Sequence, residues 1–187
     1  MCSRPGLFLD RDGVINQECH YLHDPKDLVM IPGVGEAIAA INRGGVPVIV
    51  VTNQAGIGRG YYDVAAYESV NHSIAEILAA SAAHVDAWYF CPHRPDAGCT
   101  CRKPLPGMLL SAARDWGLDL PRSLLVGDKT SDLQSARAAG AGTVLVRTGY
   151  GREVEAELAA QGSGLADQVC DSLRDALPFL EKTLGLS

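Results

Sequence analysis

A chain of 187 residues with 47% hydrophobic content suffices for one compact domain with a packed core and is short for two, so a single domain over 1–187 is expected. A formal charge of −6, from 16 basic against 22 acidic residues, disfavours nonspecific binding to nucleic acid or an anionic membrane, because both demand a basic surface. A small-molecule partner and a monomer are expected instead. The opening Met1-Cys2-Ser3-Arg4-Pro5-Gly6 lacks the charged-then-apolar layout of a signal peptide, and the longest dense apolar run, 46–51, is too short to cross a bilayer. The expected compartment is therefore the cytoplasm. In that reducing setting six cysteines do not imply disulfides, and three of them crowd between Cys91 and Cys101, which reads as metal.

Short apolar, β-branched runs alternate with longer amphipathic segments. In chain order, strands over 6–10, 46–52, 85–90, 123–128 and 143–147 interleave with helices over 34–43, 64–80, 107–116, 132–139, 153–160 and 172–184. The strands are near-continuous hydrophobic runs, as in Val48-Ile49-Val50-Val51 and Val144-Leu145-Val146, which suits parallel strands covered by helices on both faces. The rhythm predicts a doubly wound, mainly parallel α/β sheet. Such sheets bind ligands at the carboxyl ends of their strands, and the polar clusters fall there: Asp10 with Asp12, Thr52-Asn53-Gln54, and Gly127-Asp128-Lys129. Residues 22–32 and 91–106 read as substantial loops beside that crevice.

Asp10 and Asp12 sit in Leu9-Asp10-Arg11-Asp12-Gly13. On extended backbone, side chains at i and i+2 share a side, so both carboxylates can face one reacting centre before Gly13 turns the chain away. Taken alone, the same residues make an ordinary Asp-rich turn. Thr52 alone reads equally as a helix cap, and Lys103 alone as a solvated surface charge. Two glycine-bearing stretches are decoys. Gly127-Asp128-Lys129-Thr130 lacks the leading glycine of a nucleotide-binding P-loop, and Gly56-Ile57-Gly58-Arg59-Gly60 lacks dinucleotide spacing and reads as a flexible substrate-side loop.

Cys91, His93, Cys99 and Cys101 supply four soft or borderline ligands within eleven positions. Three cysteines and a histidine are a known tetrahedral zinc set, although the pair spacings are tighter than a zinc finger's; a reactive redox pair is the other reading. A site closed by four protein ligands is structural, ordering a loop rather than activating water. Arg102 and Lys103 follow directly, so an ordered loop would aim a guanidinium and an ammonium at an anionic substrate. Cys2, Cys19 and Cys170 are left as free thiols.

Asp10 and Asp12, Thr52, Lys103, and Asp128 with Asp132 occur in the order of the four motifs of the haloacid dehalogenase-like phosphohydrolases, which the chain resembles. The resemblance implies a Rossmann-like fold of that superfamily and makes Asp10 the nucleophile, attacking phosphorus to form an aspartyl phosphate. Asp12 becomes the acid/base, a residue that favours a phosphatase over the superfamily's pumps and dehalogenases. The implied cation is Mg²⁺, held by Asp10 and Asp128 carboxylate oxygens and the Asp12 backbone carbonyl, with Asp132 outside the ligand set or orienting Lys129 or Lys103. Thr52, with backbone N–H groups beside it, and Lys103 would stabilise the phosphoryl oxygens.

A Cys-Pro-His followed by Cys-x-Cys-Arg-Lys-Pro, in a small phosphohydrolase without a large cap domain, is similar to the heptose-1,7-bisphosphate 7-phosphatases and, with fewer shared stretches, to the histidinol-phosphate phosphatases. The similarity to the heptose enzymes runs through most of 8–151. It implies removal of the C7 phosphate of heptose 1,7-bisphosphate on the way to bacterial surface-glycan precursors such as those of lipopolysaccharide. Glu18, Cys19, His20 and Tyr21 would line the sugar side, with Thr52, Asn53, Gln54, Ala55, Arg102, Lys103 and Lys129 holding phosphates. Two other classes remain distinct: a zinc-bearing interaction module with no catalysis, and a nucleic-acid 3′-phosphatase, for which the charge balance offers no basic groove.

Overall fold

The computed structural model describes residues 4–186, so the expected free thiol of Cys2 lies outside the described residues. Six strands form one sheet: β1 (Leu7–Leu9), β2 (Val48–Asn53), β3 (Ala87–Cys91), β4 (Leu124–Gly127), β5 (Gly142–Val146) and β6 (Gln168–Cys170). All neighbours are parallel, in the order β3-β2-β1-β4-β5-β6. The helices are α1 (Val34–Arg43), α2 (Ala55–Gly58), α3 (Val64–Ala79), α4 (Gly107–Trp116), α5 (Thr130–Ala139), α6 (Gly151–Ala160) and α7 (Leu173–Leu184).

Alternation of side chains across each strand sorts the core into two layers. Leu7 and Leu9 of β1 join Val48 and Val50 of β2 and Val126 of β4 beneath Ile38 of α1, Ile74 of α3 and Leu180 of α7. Phe8, Ile49, Val51 and Leu125 face the other way, onto Leu109 and Ala112 of α4 and Ala136 of α5. Burial on both faces explains why the strands carry unbroken apolar runs, each such side chain contributing about 1.5–3 kcal/mol. The helix ends are written locally. Asp63 and Ser172 accept backbone N–H bonds at the starts of α3 and α7, while Gly117, Gly140 and Gly185 take left-handed backbone at the ends of α4, α5 and α7.

The expected architecture holds, with differences at the element ends. β1 stops at Leu9, so Asp10 and Asp12 lie beyond the strand, although the Asp10 N–H still donates to the Val126 carbonyl at 3.0 Å. β3 runs on to include Cys91, so the first cysteine of the cluster belongs to the sheet and not to a loop. Residues 55–58 form a turn of helix rather than the expected loop, closed by the Arg59 N–H on the Ala55 carbonyl at 3.0 Å; Gly58 lets the turn pack against 92–94, its N–H bonding to the Pro92 carbonyl at 2.8 Å where a Cβ would strike that backbone. β6 is absent from the sequence expectation: Gln-Val-Cys is too short and too polar to signal a strand, and it forms by pairing with β5 at Val146 and Cys170.

The order places the topological switch at β1, whose two neighbours are β2 and β4. Leu9 is level with Val50 and Val126, so the polar residues after three strands emerge on one edge. Ile38 is wholly buried in the α1 layer and belongs to none of the polar clusters at that edge, and Ile38→Ala should lower unfolding free energy by about 2–5 kcal/mol while leaving the activity per folded molecule unchanged; urea titration and an assay at equal folded fraction read both.

Candidate functional site

β1 and β4 end side by side and α5 begins just beyond β4, which gathers Asp10, Asp128 and Asp132. One carboxylate oxygen from each lies within 4.8 Å of the others, and all three residues are buried. Lys103 enters from the loop before α4: its Nζ is 2.9 Å from Asp10 Oδ1 and 2.6 Å from Asp132 Oδ1, and donates to the Val51 carbonyl at 2.8 Å. Its backbone is gripped by Asn53, whose Oδ1 accepts the Lys103 N–H at 3.1 Å and whose Nδ2 donates to the Lys103 carbonyl at 3.0 Å. Burial pulls the ammonium pKa down, but Asp10 and Asp132 outweigh it and leave Lys103 above the ordinary lysine value. Lys103 is therefore a fixed charge inside the crevice, and the surface-charge reading of it fails.

Asp128 is less well matched. Its Oδ2 accepts the Tyr150 N–H at 2.9 Å, whereas its Oδ1 is buried with no partner. Burial, followed by the charges of Asp10 and Asp132, pushes its carboxyl up to about 8. An orphaned buried oxygen among three carboxylates and one ammonium is what a hard divalent cation satisfies, so the donor set fits Mg²⁺. Gly13 and Gly149 adopt positive φ, +89° and +58°, and a Cβ on either would overlap the Asp128 carboxylate. Asp132 does both tasks held open for it: it pairs with Lys103, and its Oδ2 accepts the Lys129 N–H at 3.0 Å at the start of α5.

Asp12 corrects the extended-strand argument. Residues 11–16 turn tightly, with the Arg11 carbonyl accepting the Ile15 N–H at 2.8 Å and the Gly13 N–H bonding to the Asn16 carbonyl at 2.7 Å. The turn, and not strand alternation, presents Asp12 to the cleft, and its carboxylate stands outside the three-acid group. Four donors hold it: Arg11 Nε at 3.1 Å and Nη2 at 3.0 Å, Asn16 Nδ2 at 2.9 Å, and Gln54 Nε2 at 3.0 Å.

Above these groups lies a cleft of about 730 Å³. Glu18, His20, Tyr21, Asn53, Gln54, Ala55, Arg102 and Lys129 line it. Cys19 does not: it is exposed and faces a separate depression beside Leu22 and Val29, so it is removed from the sugar side. The amides of Asn53 and Gln54 are occupied by Lys103 and Asp12, and the Gln54 N–H bonds to the Cys91 carbonyl at 2.8 Å, which takes it from the set of N–H groups expected to face a phosphoryl group. Thr52 Oγ1 accepts from Gln54 Nε2 at 2.9 Å, leaving its hydroxyl hydrogen to donate. Lys129 Nζ pairs with Glu18 at 2.7 Å and sits 4.9 Å from the Tyr150 ring centroid. His20 and Tyr21 hold left-handed backbone at φ +48° and +55°, costing about 1–2 kcal/mol each. Motif spacing does not single out Arg59, Tyr62, Tyr150 and Glu153, which also line the cleft; Tyr150 lies in the 147–151 stretch, whose composition names no chemistry.

Cys91, His93, Cys99 and Cys101 converge, with one donor atom from each within 4.8 Å of the rest. Cys91 Sγ is 3.6 Å from Cys99 Sγ and 3.5 Å from His93 Nδ1, and Cys101 Sγ is 3.3 Å from that nitrogen. Zinc bonded at its usual lengths would set tetrahedral edges of about 3.5–3.8 Å, so the cluster fits that ion. Burial pushes the Cys91 thiol up, a tendency that a bound cation reverses. The five described cysteines are unpaired, Cys19 and Cys170 among them.

The raised acids make a prediction for protein stripped of divalent ions. Between 3.8 and about 8 the folded state holds a proton on Asp128 that the unfolded chain has lost, so stability falls as pH rises through that window, and Asp132, also raised by burial, adds the same sign. The denaturation midpoint in chelator should therefore drop between about pH 5 and about pH 8, and added Mg²⁺ should restore it at the upper end. A flat profile would show that the acids are not electrostatically crowded.

Residues 100–176 match the Hydrolase_like family model, described as HAD-hyrolase-like. A D-glycero-D-manno-heptose-1,7-bisphosphate 7-phosphatase from Thermosynechococcus vestitus is 43% identical over 95% of this chain and 95% of its own. The D-glycero-beta-D-manno-heptose-1,7-bisphosphate 7-phosphatase of Escherichia coli K12 is 42% identical over 96% and 95%. Among solved structures, the D,D-heptose 1,7-bisphosphate phosphatase of B. bronchiseptica, complexed with magnesium and phosphate, superposes with a TM-score of 0.87 at 39% identity, covering 95% of this chain and 98% of that one. Identity of this order along nearly the whole length places the chain in the D-glycero-D-manno-heptose-1,7-bisphosphate 7-phosphatase family of HAD-like hydrolases.

Proposed function

We propose that the chain hydrolyses the C7 phosphate of D-glycero-D-manno-heptose 1,7-bisphosphate, giving heptose 1-phosphate and inorganic phosphate through an aspartyl phosphate on Asp10. The observation that carries this reading is the pairing of Asp10 with Lys103 beside the unsatisfied Asp128 Oδ1, where Lys103 itself reaches a cleft that Arg59, Arg102 and Lys129 line together with Glu18 and Glu153. An Asp10 oxygen forms a bond to phosphorus as the ester oxygen departs with its electron pair and takes a proton from Asp12. Water then attacks the same phosphorus, Asp12 receives its proton, and phosphate leaves Asp10 free.

Mg²⁺ held by Asp10, Asp128 and the Asp12 carbonyl would supply the positive charge that lets an anionic phosphoryl group approach these carboxylates. Lys103 stabilises charge on the transferring group, and the Thr52 hydroxyl donates to one of its oxygens. Asn53 and Gln54 act on catalysis through Lys103 and Asp12. Glu18, His20 and Tyr21 are proposed to accept and donate to sugar hydroxyls, with Arg102 and Lys129 at the second phosphate. Zinc on the four-residue cluster would fix the loop that carries Arg102 and Lys103. The enzyme is proposed to work as a cytoplasmic monomer with no nucleic-acid or membrane partner; the acidic charge of −6 supports the absence of a nucleic-acid or anionic-membrane partner.

Phosphate release with Mg²⁺ present should be faster from heptose 1,7-bisphosphate than from histidinol phosphate; the reverse order would sink the substrate assignment. Asp10→Asn should retain the fold by circular dichroism and lose turnover by at least about 10³-fold. Stripping zinc with a chelator, followed by excess Mg²⁺, should expose 91–101 to protease and raise KM before kcat falls. Unchanged kinetics and proteolysis in zinc-free protein would refute the loop-ordering role.

A further inference from the structure

Arg11 lies between the two catalytic aspartates and has no part in the chemistry above, yet its side chain is wholly buried, a rare state for arginine. The turn that bends 11–16 brings adjacent side chains together, so the guanidinium meets the carboxylate of its own neighbour as a two-pronged fork, Nε to Oδ1 at 3.1 Å and Nη2 to Oδ2 at 3.0 Å. Three further groups fix the guanidinium. Gln54 Oε1 accepts from Nη2 at 3.3 Å, Asn71 Oδ1 on α3 accepts from Nη1 at 3.3 Å, and the Tyr67 ring lies 5.5 Å from the central carbon.

Stability is a poor account of this arrangement. Removing the guanidinium from water costs several kcal/mol, which a single pair with the partly exposed Asp12 carboxylate does little to exceed. Such a network does, however, hold one geometry. Both Asp12 oxygens are fixed in plane by the fork, and as Asp12 gives up its proton to the departing oxygen, negative charge grows on the group that the guanidinium faces. That interaction strengthens along the reaction, which is the condition for accelerating it.

We propose that Arg11 is a positioning residue for leaving-group protonation: it sets the orientation of the Asp12 carboxyl group and stabilises the carboxylate that proton transfer creates. The inference rests on the phosphatase reading, in which Asp12 is the proton donor. Arg11 keeps its own protons throughout, so it acts only through Asp12, and in the steps up to ester cleavage its effect is confined to the transfer of the Asp12 proton.

Leaving-group dependence tests this. A sugar alkoxide departs only with a proton, whereas p-nitrophenolate and acetate depart without one. The measured quantity is kcat/KM, which reports the steps through ester cleavage, for heptose 1,7-bisphosphate, p-nitrophenyl phosphate and acetyl phosphate. Arg11→Met should lower the sugar value by about 10²-fold while the two activated substrates change by less than about threefold. Arg11→Lys, keeping charge but not the fork, should fall between. Asn71→Leu removes one anchor of the guanidinium, outside the catalytic groups, and should show the same selective loss at smaller size; it keeps the test open where Arg11→Met fails to fold. Equal losses on all three substrates, or none on the sugar, would overturn the proposal, because damage to Asp10, Lys103 or the cation site slows every substrate alike. Failure of the wild-type protein to turn over any of the three substrates would instead overturn the phosphatase reading, and failure on the sugar bisphosphate alone the substrate assignment.

Discussion

The rest of the structure depends on the mutual repulsion of three buried carboxylates. Two unit charges 4.8 Å apart repel by about 3 kcal/mol at an effective dielectric constant near 20, and Asp10, Asp128 and Asp132 form three such pairs at that distance or less. Lys103 offsets part of this through two ion pairs, and the remainder is stored as an Asp128 that resists ionisation and an oxygen with no partner. The fold does not relieve the crowding because the acids sit on different elements, each fixed by its own packing: the end of β1, the end of β4 and the first turn of α5. Glycines at 13 and 149 leave room for nothing but that carboxylate. A site in this condition is pre-organised for a cation and for a phosphoryl group, at the expense of stability in their absence.

The placement of Lys103 links this crowded centre to the cysteine cluster. Asn53 pairs in register with Cys91 across β2 and β3, and the Asn53 side chain clasps the Lys103 backbone. Lys103 is two residues from Cys101, so the chain is tethered at both ends of a short path: by the sheet at Cys91 and Asn53, and by the cluster at Cys101. An ion binding those sulfurs would stiffen that path without touching substrate, which is how a closed metal site can act on a reaction more than a bond length away.

Much of the fold was legible because each strand is buried on both faces and therefore carries an unbroken apolar run, as Val48 to Val51 does. β6 was not, since three residues against one neighbour hold no periodicity. At the site, residue types and order pointed to side chains that the fold gathers at one edge of the sheet, but spacing along the chain misstated their geometry. Asp10 and Asp12 share a cleft through a tight turn and not through strand alternation, a distinction that depends on hydrogen bonds to the Arg11 carbonyl and has no compositional trace. Cys19 read as a lining residue through the family resemblance, together with Glu18, His20 and Tyr21; in the structure its thiol is exposed beside a separate depression, which residue order could not show. Arg11 was invisible for the opposite reason: an arginine between two aspartates looks like solvated charge until its burial is known.

The Thr52-Asn53-Gln54 segment shows why short motifs carry more than their direct contacts. It first reads as three phosphate ligands at a strand end. In the structure the three side chains divide between the two carboxylates: Asn53 serves the nucleophile through Lys103, Gln54 serves the acid/base by donating to Asp12 and accepting from Arg11, and Thr52 steadies Gln54 while its hydroxyl hydrogen remains available. Tyr62 completes the second branch, its hydroxyl donating to Gln54 Oε1 at 2.6 Å. The phenol is itself half-buried, and that burial pushes it up to about 12, so it remains a donor throughout the range in which carboxylates ionise. A single strand end thus sets the geometry of both halves of the reaction, and a change at Gln54 should disturb Asp12 and Arg11 together while leaving the Asn53 grip on Lys103 in place.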